Sequence, residues 1–405
     1  MKVAYYSPLP PSRSGVADYS ALLLPELEKR IDVVVARPGR FRRAPKADLS
    51  LYHVGNDPEA HGWIARELAA RPGVVVLHEF VLHHLVAGLT LARGDARGYL
   101  DAMERGHGLA GRLLAYGVID NRIPPLWETR PEAFPLAGDV LLDATALIVH
   151  SEFVEERARA AGYDRPIRRI PHPAWALPAV APADVEGSPL FGCFGHLNES
   201  KRIPQLLAAF ARVHALRPDA RLLLVGALSS RLTALDVPEG VIREDYVSEE
   251  RLWSLMAACD AIVSLRSPTM GETSGSAIRA LSLGRPLVVS DVGWFSELPD
   301  DVAGKVPVDE DEVGTLAGAL EALADDPGRR EATGTAAREL VEREHALPRV
   351  ADLYVSVLEQ AAGGAAVRDA TLREVAEAAA DVGIGADDPA AAELAARLDE
   401  VELGG

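Results

Sequence analysis

The stretch AWALPAVAPADVEGS (174–188) is rich in proline and alanine and has no periodic pattern, and LFGCFG (190–195) follows it as a short apolar run. Unpatterned, proline-rich sequence reads as a linker, and a buried apolar run after it reads as the first strand of a new unit. Upstream, KVAYYS (2–7), IDVVVA (31–36), LSLYHV (49–54), VVVLHE (74–79) and ALIVHS (146–151) are runs of the same kind, separated by helical patterns. Downstream, ARLLLVG (220–226), VIREDYV (241–247), AIVSLR (261–266) and PLVVSDVG (286–293) repeat the alternation. Near-continuous apolar strands joined through helices are the mark of right-handed βαβ units and a doubly wound parallel sheet. The expected fold is therefore α/β, with two Rossmann-like domains facing across a cleft. Residues 1–175 form the first domain, 176–188 the linker and 189–345 the second domain. A helix over 346–362 is expected to pack back on the first. Pro25, inside the first helix pattern near 16–29, is expected to kink it.

The 405 residues exceed what one hydrophobic core usually organises, which agrees with two domains. Apolar residues make up 48% and charged residues 25%, so the chain is not disordered as a whole. A net charge of −18 argues against a general nucleic-acid binder and against an anionic-membrane binder. No apolar run reaches the ~20 residues of a membrane span, and MKVAYYSPLPP lacks the features of a signal peptide. Peripheral association is left open. Cys193 and Cys259 sit in apolar runs and read as buried free thiols, which fits a reducing cytoplasm. The segment 363–405 has ten acids against three arginines and two short amphipathic patterns, 370–382 and 389–401. It is expected to be an acidic tail, helical or disordered, away from the chemistry.

Three strand-to-helix connections carry candidate chemistry. The first, Ser12 to Tyr19, holds Gly15, which lets a ligand approach the backbone where a helix N-terminus favours anions. A plain tight turn is the alternative, and the dinucleotide fingerprint GxGxxG is absent. The second, FGHLNESKRIPQLL (194–207), places Lys201 and Arg202 at a helix entry, where cations are normally disfavoured. An anion shared between those charges and the free N–H groups would explain them, and so would a solvated surface pair. The helix they open has Ile203, Leu206, Leu207, Phe210 and Val213 on one stripe. The third, LRSPTMGETSGSAIRALSLGRPLVVSD (265–291), is rich in glycine and hydroxyls ahead of a helix near 276–283. Such a loop makes an anion nest, to which Thr273, Ser274, Gly275 and Ser276 would belong, with a plain exposed turn as the alternative. Arg266 ends the preceding strand, and Glu272 can accept hydrogen bonds from sugar hydroxyls.

HEFVLHH (78–84) is close to a zincin helix, but His78 and His83 are five apart where that motif needs four. His78 ends an apolar strand, so it faces the cleft or is a core histidine. No GxSxG elbow occurs. The triplet Asp309-Glu310-Asp311 is expected to cap a helix of the second domain.

At these residues the chain resembles a family-4 retaining glycosyltransferase of the GT-B fold, over most of residues 1–360 and most strongly over 190–325. The family's loop after strand one is matched by Ser14-Gly15-Val16. Its diphosphate-binding GRLxxxKG segment is matched by Gly195-His196-Leu197-Asn198-Glu199-Ser200-Lys201-Arg202, with the lysine kept, His196 for the arginine and Arg202 for the last glycine. Its AMAxGxPVVAS run is matched by 280–290, which puts Arg279 where a ribose-binding glutamate stands. Glu297 matches a recurrent glutamate after the next strand. The resemblance implies transfer of a sugar, with retention, from a nucleotide-diphosphate donor to an acceptor hydroxyl on a glycan, lipid or small molecule. It implies Glu272, Lys201 and His78 in catalysis. Donor binding would fall to Gly15, His196, Arg202, Arg266, Thr273, Ser274, Gly275, Ser276 and Arg279, with no metal or other cofactor. A nucleotide-sugar epimerase of the same build and a non-catalytic nucleotide- or glycan-binding protein are the rival readings.

Overall fold

The structure, a computed structural model, describes all residues except 13, 40–43, 230–231, 233–236, 386–387, 392 and 395–405. The first sheet has strands β1 (Lys2–Tyr6), β2 (Asp32–Val35), β3 (Leu49–Val54), β4 (Gly73–Leu77), β5 (Ala144–Val149) and β6 (Ile167–Arg169), in the order β2-β1-β3-β4-β5-β6. The second has β7 (Leu190–Phe194), β8 (Arg221–Val225), β9 (Val241–Glu244), β10 (Ala261–Ser264), β11 (Leu287–Ser290) and β12 (Ala303–Val306), in the order β12-β11-β10-β7-β8-β9. Every pairing is parallel. The helices of the first half are α1 (Gly15–Glu28), α2 (Pro58–Ala70), α3 (His83–Leu89), α4 (Ala96–Ile119), α5 (Leu126–Thr129), α6 (Gly138–Asp143) and α7 (Glu152–Ala160). Those of the second are α8 (Ile203–Leu216), α9 (Glu249–Ala258), α10 (Gly275–Ser282), α11 (Glu312–Asp325), α12 (Pro327–Leu340) and α13 (Leu347–Asp381).

Side chains of a strand alternate between faces, and here both faces are covered. Val3, Tyr5, Leu51, Val74 and Val76 join one buried cluster, while Ala4, Tyr6, Tyr52, Val75 and Leu77 join the cluster across the sheet. The second sheet divides its strand residues in the same way. The predicted stripe of α8 is buried in full. The edge strands β6 and β12 were not among the expected runs. IRR and AGKV are short, and two residues in each are not fully buried, so they carry little apolar signal.

Three expectations are corrected. α1 is one continuous helix through Pro25, because Ala21 and Pro25 lie on its exposed side, where the carbonyl that loses its partner meets water. The acidic tail does not begin as a separate element at 363. α13 carries on to Asp381, its alanines sustaining the helix across Gly363 and Gly364 at a cost of about 1 kcal/mol per glycine. The second tail pattern, 389–401, lies mostly outside the described residues. Asp311 precedes α11, but its side chain makes no cap hydrogen bond; Asp309 instead accepts the N–H of Asp311 at 2.9 Å.

The first half of α13 packs on the first domain beside α1. Val350, Tyr354 and Leu358 are buried there, and the hydroxyls of Tyr19 and Tyr354 meet at 2.6 Å. The two domains touch directly. The N–H groups of Phe80 and Val81 both donate to the carbonyl of Met270, at 2.8 and 3.0 Å, and Thr269 N–H donates to Glu132 at 3.0 Å. Gly271 stands at φ +85°, and a Cβ there would come within 3.0 Å of Val154 and 3.2 Å of Phe80. Glycine is what lets the third connection lie this close to the first domain.

Candidate active site

Parallel sheets bind ligands beyond the carboxyl ends of their strands, where connections on either side of the central strand diverge. In the first sheet that point lies between β1 and β3, and in the second between β7 and β10. A cavity of about 370 Å³ lies where the two points face each other. This is within the ~300–1,000 Å³ range of small-molecule sites.

From the first domain, Ser14, Gly15 and Val16 line it at the start of α1, with Asn56 and Asp57 after β3 and His78 and Glu79 after β4. The Oγ of Ser14 caps α1 by accepting the N–H of Val16 at 3.2 Å. From the second domain come Glu272, Thr273, Gly275 and Arg279, and from the end of the first domain, where the linker begins, Trp175. Ser274 caps α10, its Oγ accepting the N–H of Ala277 at 3.3 Å. Two helix N-termini, one from each domain, therefore point at one cavity.

Glu272 is held tightly. Its carboxylate accepts the N–H of Met270 at 2.7 Å and the hydroxyl of Thr269 at 3.2 Å, and it pairs with the guanidinium of Arg266 at 2.8 Å. Arg266 also donates to the Ser200 hydroxyl at 2.9 Å, and its own N–H is held by Ser290 at 2.9 Å. This links the β7–α8 connection to the β10–α10 connection.

The sequence-derived candidates thus separate into two sets. Gly15, His78, Glu272, Thr273, Gly275 and Arg279 line the cavity. Lys201, His196, Arg202, Arg266, Ser274 and Ser276 do not line it. The anion that the Lys201–Arg202 pair implied is supplied by the chain itself in the case of Arg202, whose guanidinium makes a two-pronged pair with the buried carboxylate of Glu312. Arg202 sits at φ +54°, immediately before α8. Lys201 is 6% exposed and donates to the carbonyl of Phe194, and burial pulls its ammonium down to about 8. His196 is exposed.

Sequence reasoning missed a shell of histidines around His78, of which His61, His150 and His172 also line the cavity. His53 Nδ1 and His78 Nε2 are 3.0 Å apart, and His61 Nδ1 meets the carbonyl of His53 at 3.1 Å. His150 and His172 hold backbone carbonyls at 2.8 Å each. The ring of Tyr19 contacts His53, His78, His150 and His172. Desolvation pulls all four well below the ordinary imidazole value, His150 to about 4, so they are neutral near pH 7. A signal was present in the sequence. LYHV, VLHE and IVHS each place a histidine at or just past a strand end, and β3, β4 and β5 lie side by side. Glu79 was also missed; burial, with the Glu272 charge adding to it, pushes its carboxyl up to about 8. Among the described residues no group of three or more His, Cys, Asp or Glu is arranged to hold a metal ion. Both cysteines are free and buried.

The comparisons with known proteins fall on this arrangement. Residues 188–326 match the family described as glycosyl transferases group 1. That segment holds the whole of the second-domain half of the cavity. A GDP-mannose-dependent monoacylated alpha-(1-6)-phosphatidylinositol monomannoside mannosyltransferase of Corynebacterium glutamicum is 30% identical over 182 residues, 42% of this chain and 47% of that protein. The chain thus spans about half the length of the curated relative it matches. A sucrose-phosphate synthase from Thermosynechococcus elongatus superposes with a TM-score of 0.61 at 17% identity, over 89% of this chain and 98% of that one. HepE of Anabaena, in complex with UDP and glucose, superposes with a TM-score of 0.59 at 16% identity, over 89% and 99%. These likenesses span both domains and establish the fold as GT-B. No helix among the described residues is long and apolar enough to cross a membrane.

Proposed function

We propose that the protein is a retaining glycosyltransferase that moves a sugar from a nucleotide-diphosphate donor to an acceptor hydroxyl. The observation that carries this reading is the interdomain cavity, where the N-termini of α1 and α10 meet beside the Arg266–Glu272 pair and His78. The match of residues 188–326 to glycosyl transferases group 1 supports it.

The donor diphosphate lies against the N–H groups at the start of α10, which offset its charge as the sugar–oxygen bond breaks. Glu272, fixed by three contacts, accepts hydrogen bonds from sugar hydroxyls. His78, neutral and held by His53, faces the reacting carbon from the first domain. Transfer takes place on one face of the sugar. The anomeric carbon–oxygen bond breaks, the leaving phosphate oxygen takes the acceptor proton, and the acceptor oxygen bonds to that carbon from the same side. No divalent metal or other cofactor takes part. The acceptor is a glycan, a lipid or a small molecule and enters from the first-domain side; nucleic acid is not a partner, and the reaction takes place in the cytoplasm.

A thermal-shift screen across nucleotide sugars tests this reading. A selective rise in Tm with one nucleotide sugar supports it, and no response to any of them contradicts it.

A further inference from the structure

Arg279 is the one Arg or Lys among the described residues that line the cavity, whose other charged members are Asp18, Asp57 and Glu272, while Glu79, raised to about 8, is mostly protonated near pH 7. It is 8% exposed. Its guanidinium lies 3.6 Å from the ring of Trp175, with Trp253 at 5.8 Å. Its Nε is buried without a hydrogen-bond partner. Its other contacts are weak, a 3.4 Å approach to the carbonyl of Gly275 and a 3.6 Å approach to Glu249, an exposed carboxylate. A buried cation costs free energy unless paired. Arg266 and Arg202 have their carboxylates, Glu272 and Glu312. Arg279 has none of comparable quality, and it stands one turn into α10, beside the helix N-terminus that faces the cavity.

We infer that Arg279 is the arginine that contacts the donor's diphosphate, on α10 and backed by Trp175 at the end of the first domain, in place of one on the β7–α8 connection. The resembling family carries its arginine at the position of His196, which here is exposed and does not line the cavity. Arg279 stands where that family holds ribose with a glutamate, and a guanidinium there suits phosphate oxygens, which its planar fork meets two at a time. Stacking on Trp175 holds the fork in one orientation and ties phosphate binding to the end of the first domain.

The inference rests on the donor reading above, and inorganic pyrophosphate separates the two. Calorimetric titration of the full chain compares pyrophosphate with UDP and GDP. Arg279→Gln is expected to weaken pyrophosphate and the nucleoside diphosphate by the same factor, about 10- to 150-fold. Arg279→Lys keeps the charge, loses the fork, and is expected to show part of that loss for both ligands alike; it decides the matter if Arg279→Gln does not fold. Quenching of tryptophan fluorescence by pyrophosphate is expected in the wild type and is expected to be lost in Trp175→Phe. Unchanged pyrophosphate affinity in the folded variants, with or without a loss of nucleotide affinity, overturns the inference, since a ribose contact would spare pyrophosphate. A protein that binds pyrophosphate through Arg279 but transfers no sugar sinks the donor reading and leaves Arg279 as a diphosphate contact without a sugar donor.

Discussion

The carboxylate of Glu297, in the second domain, accepts the N–H of Phe153 in the first at 2.8 Å, and that of Glu152 at 2.9 Å. Two orphan donors at the start of α7 are thus capped from across the cleft, while Ser151 caps a third from within at 3.2 Å. Glu297→Ala is expected to cost about 1–2 kcal/mol of stability, the size of a lost cap. It should also loosen the approach of the domains. Urea unfolding and small-angle scattering check this, and an unchanged unfolding midpoint with an unchanged radius of gyration speaks against it.

Glu272 ties three parts of its loop together, so its removal is expected to cost activity through position as well as through contact. Glu272→Gln keeps the shape and loses the charge opposite Arg266. It should lower kcat/KM by about 10- to 150-fold, the worth of one charge-assisted hydrogen bond. Steady-state kinetics on the donor found by the thermal-shift screen provide the check. A variant with wild-type kcat/KM would remove Glu272 from the site.

Two α/β domains, most of their strands and the second-domain half of the site were legible in the sequence. Apolar runs joined by helices leave few other folds, and TMGETSGSA reads as a glycine- and hydroxyl-rich strand-to-helix connection, which is where the second domain lines the cavity. What was not legible depends on pairs far apart in the chain. Arg202 reads as a free cation at a helix entry until Glu312, 110 residues on, is brought beside it. Arg279 and Trp175, 104 residues apart in the chain, meet only when the end of the first domain is brought beside α10. The histidine shell looked like isolated strand-end residues because no single stretch contains it.

That shell gives the protein an acid limit. His53, His61, His78, His150, His172 and His345 all bind protons less readily in the folded chain, chiefly through desolvation. Unfolded imidazoles take up protons near pH 6.5, so between about 6.5 and 4 the unfolded chain holds more of them. Stability is therefore expected to fall as pH falls through that window, by up to about 1.4 kcal/mol per pH unit per histidine. Glu79, raised to about 8, works in the opposite direction, as do the raised carboxyls of Asp18, Asp143 and Glu297. Urea midpoints at pH 7, 6 and 5 test this, and a flat series contradicts it.

The first half of α13 carries a contact with α1, through Tyr354 and its neighbours. A chain ending at Gly364 is expected to stay folded, with its donor affinity intact. Loss of soluble protein would show that the later part of the helix supports the core.

The most direct test follows a nucleotide sugar by NMR in excess EDTA, with the protein and a panel of acceptor alcohols. The account predicts release of nucleoside diphosphate and a new glycoside with the donor's anomeric configuration. Recovery of an intact nucleotide sugar with altered ring stereochemistry, an inverted glycoside, or turnover restored only by Mg²⁺ or Mn²⁺ would contradict it.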